Sequence, residues 1–572
     1  MKKWVILDQQ RTNNREQITE KNILNILLRN RGIKKEEEID EFLNPSLEQL
    51  TLRKVGLRKK ELDKAVRRIA KAIKGKESII VYTDYDADGI CSGALLWEAL
   101  YSLKAKVMPY VPHRVKEGYG LSKQGIDFVK KEYQTRLIIT ADHGVTATDK
   151  IFYAKNLGID TIVLDHHVLP KKLPKVSALI HTIKLAAGGI SWFFSNYLIS
   201  QLSNRQLKDS QFDNLIIRNL DLAALATIAD LVPLVGANRI LAKFGLEQLS
   251  KTQRVGLVAL IKEAGLVKDQ IGVYEVGHIL GPRINAMGRL THAIDALRLL
   301  CTRDEKRASS LAKLLSSTNR ERQLLTNSAV LLAIELVKHD LTYKKTGKNL
   351  KLLFISRKEF NEGVIGLVAG KLVEEFYRPS VVVSQGEIFS KASARSINGF
   401  NIIETIRQAE GLLKDVGGHP MAAGFTVATK NLTLLKNKLQ QIADHKLDED
   451  KLTRVLKIDT ILNLDDVTLE FYKKLQQLAP FGIGNPEPVF ASYKVEILGA
   501  SLVGRNKSHL KLKIKQNTTS KSNVFDAIGF NLGNLFGKIF PNQKIDIAYT
   551  ISRDTWRGEN QLQLKLKDCS IE

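Results

Sequence analysis

The sequence predicts an α/β protein: two regions of alternating strands and helices, joined by a long helix and followed by a small β-barrel. Three observations carry that expectation. The chain has 572 residues, too many for one hydrophobic core, so three or four domains are expected. From Ser78 onward, short apolar runs alternate with polar residues and helical spacing, as in a parallel, doubly wound sheet. Beyond residue 451, strand-length stretches follow one another with turns between them, as in a barrel.

In chain order, residues 1–75 read as short, polar and basic helices and loops, punctuated by Arg31-Gly32 and Phe42-Leu43-Asn44-Pro45. Residues 78–83 form the first expected strand, and residues 91–103 have helical apolar spacing. Further short buried strands are expected at 136–140 and 161–164. From Leu220 to about Val337 the chain reads as mostly helical, including a long polar-rich helix through Asn319-Arg320-Glu321-Arg322. A second alternating region runs from Leu350 to about Ala443, and residues 444–451 read as a charged linker. Barrel strands are expected at 493–498, 510–514, 545–551 and 562–566. No internal repeat is present.

Composition narrows the partners. Apolar content of 44% and charged content of 26% are ordinary for a globular protein. The formal net charge is not: 87 Lys+Arg against 61 Asp+Glu leave +26, which favours a polyanion, either nucleic acid or an anionic membrane. Cys91, Cys301 and Cys569 are too scattered for a CxxC pair or a disulfide framework. After Lys2 and Lys3 only four apolar residues precede Asp8, too few for a signal-peptide core, and no apolar run reaches membrane-spanning length. A cytoplasmic protein that makes no use of a membrane is expected.

Residues 82–89, Tyr-Thr-Asp-Tyr-Asp-Ala-Asp-Gly, are the most telling segment. Asp84, Asp86 and Asp88 fall at every second position, so on a strand they would share a face and repel. A divalent cation held where the strand breaks into a turn resolves that repulsion. Asp142-His143, Asp165-His166-His167 and Asp230 add candidate ligands at later strand ends and in a helical segment. Each alone is ordinary, because Asp after a strand usually caps a helix. Asp230 lies among apolar residues, where an ionised carboxylate is costly unless paired or coordinating. Carboxylates with imidazole fit Mn²⁺ or Mg²⁺ better than zinc, which stays open on ligand type alone. Several carboxylates in one cleft suit a two-metal centre.

Asp84-Tyr-Asp-Ala-Asp-Gly89, Asp142-His143-Gly144, Asp165-His166-His167 and Thr227-Ile-Ala-Asp230, in this order, resemble the four motifs of the DHH phosphoesterase superfamily. Gly417-Gly-His-Pro-Met-Ala-Ala-Gly424 is similar to its DHH-associated domain. Leu280-Gly-Pro-Arg283 and Pro480-Phe-Gly-Ile-Gly-Asn-Pro-Glu-Pro488 point to the branch of single-stranded-DNA-specific exonucleases. The resemblance implies an N-terminal helical segment at 1–75, a DHH catalytic domain at 76–300, a connecting helix at 301–340, a DHH-associated domain at 341–445 and an OB-fold barrel at 455–572. It implies metal ligation by Asp86, Asp88, Asp142, His166 and Asp230, with Asp84 and His167 close by, and two ions, Mn²⁺ or Mg²⁺. The implied activity is 5′→3′ hydrolysis of single-stranded DNA to 5′-mononucleotides in recombination and repair, by a monomer working beside a helicase and a single-strand-binding protein. Two other readings compete: a phosphodiesterase for short oligoribonucleotides or cyclic dinucleotides, and an inactive single-strand-binding scaffold. The barrel counts against the first and the intact ligand set against the second.

The chain departs from the superfamily at Tyr82, where many members carry His, at residues 180–184, which lack an Asn-Pro-Lys-like element, and at Phe360-Asn361, usually Trp-His. A phenol is a poor ligand at neutral pH, so Tyr82 is left out of the ligand set.

For the strand itself, Ser393 and Arg395 offer a hydroxyl and a guanidinium suited to phosphate oxygens. By resemblance they meet the 5′ phosphate, with Arg114 reaching from the first domain. Arg283 and Arg289 flank Asn285 in what reads as a phosphate-side loop, with Arg289 the expected contact to the scissile region. His419 is a candidate donor to a phosphate oxygen. In the barrel, Arg505, Lys507, His509, Lys511 and Lys513 lie on one turn and strand as an electrostatic track, though a solvated outer face accounts for them equally. Tyr493, Phe530 and Trp556 are the candidate stacking partners, with Trp556, beside Arg557 and Gly558, reading more as a turn.

Overall fold

A computed structural model describes residues 2–8, 20–114, 116–203, 219–343, 350–516, 523–554 and 561–571. The chain divides into two compact units, one of residues 1–3 and 317–456, the other of residues 4–316 and 457–572. The helix Glu305–Tyr343 begins in the larger unit and continues into the smaller.

In the larger unit a five-stranded, wholly parallel sheet runs in the order Val107–Tyr110, Ile79–Thr83, Leu137–Ala141, Asp160–Asp165, Ala178–His181. Every residue of Ile79–Thr83 and Leu137–Ala141 is buried, because crossover helices cover both faces of a parallel sheet. Ile79, Val81, Leu137 and Ile139 pack with the helices Ala87–Ser102 and Ala187–Leu202 on one face, while Ile80, Tyr82 and Ile138 pack with Lys123–Tyr133 and Thr148–Asn156 on the other. Thr83 stands beside Ala141, and Ala141 beside Leu164. Asp84, Asp142 and Asp165 therefore leave the sheet in one row at its carboxyl edge, where α/β sheets bind ligands.

The C-terminal strands Phe490–Val503, His509–Lys515, Val524–Gly529, Leu562–Ser570 and Lys544–Arg553 pair in that order, and the last returns to the first to close a barrel. Ile23, Leu27, Leu28 and Phe42 of the N-terminal helices share the barrel's core, whereas Val55, Leu62 and Ile69 join the core beside the parallel sheet. A segment leading into the barrel grips the loop after Asp230. The N–H of Leu234 donates to Ile483 O at 2.6 Å, and a Cβ on Gly482 or Gly484 would collide with Leu234 or Pro233. Arg239, 1% exposed, donates to the carbonyls of Phe42, Gln477 and Ala479.

The smaller unit has a five-stranded mixed sheet in the order Leu413–His419, Ala422–Ala428, Phe389–Arg395, Ser380–Ser384, Leu353–Arg357, in which only the last two strands are parallel. Ile365–Phe376 covers one face, and Ile402–Arg407 with Leu432–Lys446 covers the other.

Three local expectations need correction. Residues 281–290 are a helix, not a loop. Pro282 is tolerated in a first turn, where its missing N–H has no partner to lose, and Gly288 is there for contact: a Cβ would stand 2.5 Å from Tyr85 O. The linker begins later than expected, since the helix Leu432–Lys446 includes its first residues. The strands Val107–Tyr110, Ala178–His181 and Val524–Gly529 were absent from the expected set. Trp556, Arg557 and Gly558 lie outside the described residues. Among the described residues no helix is long and apolar enough to cross a membrane.

Candidate active site

Asp84, Asp86 and Asp88 follow a strand-to-helix break. Asp84, 3% exposed, directly follows the strand; Asp86 caps the helix Ala87–Ser102 by accepting the N–H of Gly89 at 3.0 Å; Asp88 sits in its first turn. Gly89 is required, because a Cβ there would lie 2.8 Å from the backbone of Asp84. Asp88 also accepts the N–H groups of Ala187 at 2.8 Å and Gly188 at 2.6 Å, which open the helix Ala187–Leu202. Two helix starts thus converge on one carboxylate, where peptide dipoles favour negative charge. Asn285 fixes the same turn by accepting the N–H of Ala87 at 2.7 Å.

Asp142 adopts φ of 70°, uncommon for a residue with a Cβ, and is 3% exposed. Asp230 ends the helix Leu220–Ala229 and donates its N–H to Ala226 O at 3.0 Å. His166 joins these elements: its Nε2 lies 3.2 Å from Asp142, 3.7 Å from Asp230 and 3.8 Å from Asp88. His167 turns the other way, with Nδ1 2.8 Å from Asp165 and Nε2 3.3 Å from the hydroxyl of Tyr119. Tyr119 donates to Asp142 O at 3.1 Å. Three groups have ligand atoms within 4.8 Å of one another: Asp84/Asp86/Asp142, Asp88/His166/Asp230 and Asp142/His166/His167.

The electrostatics follow from burial. Asp88 is pushed up to about 7 by desolvation and then by the charge of Asp86. Asp230 rises to about 9 through desolvation and the charges of Asp88 and Asp86. Asp84 and Asp142 lie well above the carboxylate range for the same reasons. So many buried carboxylates cannot ionise together without a countercharge. Their oxygens with an imidazole nitrogen are a donor set that fits hard divalent cations. Asp165 is the exception: burial opposes its ionisation, but His167 and the N–H of Val145 outweigh that and hold it near about 2. Its ionised oxygen only accepts, so Nδ1 of His167 carries the proton.

Tyr82 is fully buried, its ring centroid 4.7 Å from that of Tyr110 and 5.4 Å from that of His143. Burial keeps its hydroxyl protonated. His143 has Nε2 3.0 Å from Tyr82 O and is held down to about 4 by burial, a neutral core histidine. The reading of the sequence missed Ala187, Gly188 and Asn285 as supports; the small-residue run 186–189 was the available signal.

Residues 78–227 match the DHH family, N-terminal domain; residues 348–445 the DHHA1 domain; and residues 458–568 the RecJ OB domain. The single-stranded-DNA-specific exonuclease RecJ of Haemophilus influenzae is 30% identical over 562 residues, covering 95% of each chain. The chain belongs to the RecJ family. RecJ of Bacillus subtilis is 36% identical over 523 residues, which cover 90% of this chain and 64% of that longer relative. A crystal structure of RecJ from Thermus thermophilus in complex with Mn²⁺ superposes with a TM-score of 0.80 at 26% identity, over 100% of this chain and 80% of that one. The same Thermus RecJ was also crystallised with Mg²⁺, and the buried carboxylate–imidazole cluster described above suits either ion.

The expected strand contacts fall in several places. In the larger unit, the guanidinium of Arg114 lies 5.1 Å from the ring centroid of Tyr85. Arg289 is in the last turn of the helix Gly281–Leu290. Arg283 donates to Ser316 at 3.2 Å and to Ile279 O at 2.7 Å, ties that anchor its helix. Lys511 pairs with Asp526 at 3.4 Å, while Lys507 and Lys513 are exposed. His509 accepts the N–H of Asn531 and packs edge-on to Phe530, which is 53% exposed. In the smaller unit, Arg395 donates to Ser393 Oγ at 3.1 Å and Ala394 O at 2.9 Å. Gly366, in the first turn of its helix, brings backbone against both side chains: a Cβ there would lie 3.0 Å from each. His419 ends an exposed strand.

Proposed function

We propose that the chain is a metal-dependent exonuclease that digests single-stranded DNA from its 5′ end to 5′-mononucleotides. The observation that supports this most is the meeting of Asp88, Asp142, His166 and Asp230, from four separate elements, in one buried, proton-retaining cluster. In this reading Asp86, Asp88, Asp142, His166 and Asp230 hold two Mn²⁺ or Mg²⁺ ions, with Asp84 supporting. Bound there, the ions supply a hydroxide nucleophile at neutral pH and neutralise charge on the phosphoryl group. The residues themselves position: Asp165 fixes the tautomer of His167, and Tyr119 links His167 to the backbone of Asp142.

Ser393 and Arg395 take the terminal 5′ phosphate, Arg289 contacts the scissile region, His419 donates to a phosphate oxygen, and Lys507, His509 and Lys511 line the track for the strand. The catalytic, DHH-associated and barrel domains divide at 76–300, 341–445 and 455–572, with 301–340 connecting the first two. The protein acts as a monomer in the cytoplasm, on strands opened by a helicase and coated by a single-strand-binding protein.

The test uses 5′- and 3′-labelled single strands with Mn²⁺. Wild type should release 5′-mononucleotides from the 5′ label first, and Asp142→Ala should lose about 10²–10³-fold or more in rate. Release that begins at the 3′ label, or that needs no divalent ion, would overturn the reading.

A further inference from the structure

The smaller unit contains a polar hollow apart from the Ser393–Arg395 pair. It lies at the carboxyl ends of the parallel strands Leu353–Arg357 and Ser380–Ser384, the site where α/β sheets receive ligands. Leu353–Arg357 is the outermost strand of the sheet, two strands away from the one that carries Arg395. The cavity volume is about 340 Å³, within the range of small-molecule sites.

Its chemistry is one-sided. Arg357 and Lys436 line it, and among the described residues no carboxylate does. The guanidinium of Arg357 and the amide of Gln385 have no side-chain partner among the described residues. Ser356 also lines the hollow, and its buried hydroxyl oxygen has no hydrogen-bond partner. Such an orphan calls for an explanation in a folded protein, and a ligand oxygen supplies one. Thr433 stands in the first turn of the fifteen-residue helix Leu432–Lys446, which continues a 3-10 turn over Thr429–Asn431. Phe354 and Ile355, 5% and 6% exposed, point to opposite faces of this outermost strand, so the hollow meets the strand along its backbone.

We propose that this hollow is a second nucleotide site, holding a phosphate at Arg357, Lys436 and the hydroxyl of Ser356. The phosphate comes either from a free mononucleotide or from a DNA strand. The inference does not rest on the exonuclease reading.

The experiment uses the full chain in EDTA, so that no hydrolysis intervenes. Calorimetric titration with dAMP and anisotropy with a 5′-hydroxyl oligothymidylate are compared for wild type, the Arg357→Ala/Lys436→Ala double variant, Thr433→Glu and Arg395→Ala. Arg357 and Thr433 are exposed and Lys436 is half-buried; of the two rim variants, Thr433→Glu should melt like wild type, and melting of the double variant separates lost binding from lost folding. Both should weaken one probe by at least about 10-fold, as expected for lost charge-assisted contacts, while Arg395→Ala keeps that binding. Weaker dAMP binding assigns the site to free nucleotides, and weaker oligothymidylate binding assigns it to strand phosphates. Unchanged affinity for both probes in both rim variants overturns the proposal, as does dAMP binding that only Arg395→Ala removes.

Discussion

At the scale of single residues, the site is defined by protons held where none would be held in water. Asp88 near 7 and Asp230 near 9 bind protons in the folded state at pH values where the unfolded chain, with carboxyls near 4, has released them. The folded state therefore carries more protons between about pH 4 and 9, and stability without metal must fall as pH rises through that window. Melting followed by circular dichroism in EDTA should drop from pH 5 to pH 9. Added Mn²⁺ should restore it most at high pH, because ligands bind once deprotonated; a melting temperature that climbs with pH in EDTA would contradict the assignment. Arg395→Ala should cost about 10- to 100-fold in preference for a 5′-phosphorylated over a 5′-hydroxyl end, the scale of a hydrogen bond to a charged group. Competition between the two ends reads this, and equal loss on both would count against it. The carboxylates were legible because their spacing demanded a countercharge. The division between His166 as ligand and His167 as neighbour came only from the family resemblance, since spacing alone treats adjacent histidines alike and their directions are set by the backbone turn. His166 faces Asp142 and His167 faces Asp165.

At the scale of elements, strand periodicity revealed the central strands Ile79–Thr83 and Leu137–Ala141, which are apolar throughout. Short edge pieces escaped it. Val107–Tyr110 contains Pro109 and spans four residues, so no period can declare itself. The helix Gly281–Leu290 was hidden by its glycines and proline, which local rules read as breakers and tertiary contact makes tolerable. Contact also sets the limits of the site. A Cβ on Gly188 would stand 2.2 Å from Ala226 Cβ and 3.2 Å from Asp88 Oδ1. Gly188→Ala must therefore push the helix Ala187–Leu202 off its neighbour and draw its N–H away from Asp88. Nuclease rate should fall about 10-fold or more at limiting Mn²⁺ and recover in part at high Mn²⁺, by the weight of supporting contacts in metal sites. A Mn²⁺ titration of activity distinguishes this from simple unfolding.

For the whole molecule, a charge of +26 predicts affinity for single strands that falls steeply with salt. The barrel's share is smaller than its lysines suggest, because Lys511 faces Asp526 and Lys515 faces Glu496. Lys513, exposed on the same strand, is the better probe. Lys513→Ala should lower the slope of log affinity against log salt by about 0.7, one phosphate's worth, with little effect on hydrolysis of a very short oligonucleotide. An unchanged slope would make that strand a solvated face. The net charge is readable from composition alone, whereas its local cancellation depends on strand pairing across the barrel.

The clasp of Gly482, Ile483 and Gly484 on the loop after Asp230 makes grip and chemistry inseparable. Residue 483 props the loop that leads away from Asp230, so a chain shortened before residue 457 should lose turnover as well as hold. A truncated variant is then a poor gauge of what the barrel does for DNA binding, and point changes on its outer face are the sound instrument. Trimming this protein to a minimal nuclease would call for a new support beneath Asp230 before any barrel strand is removed.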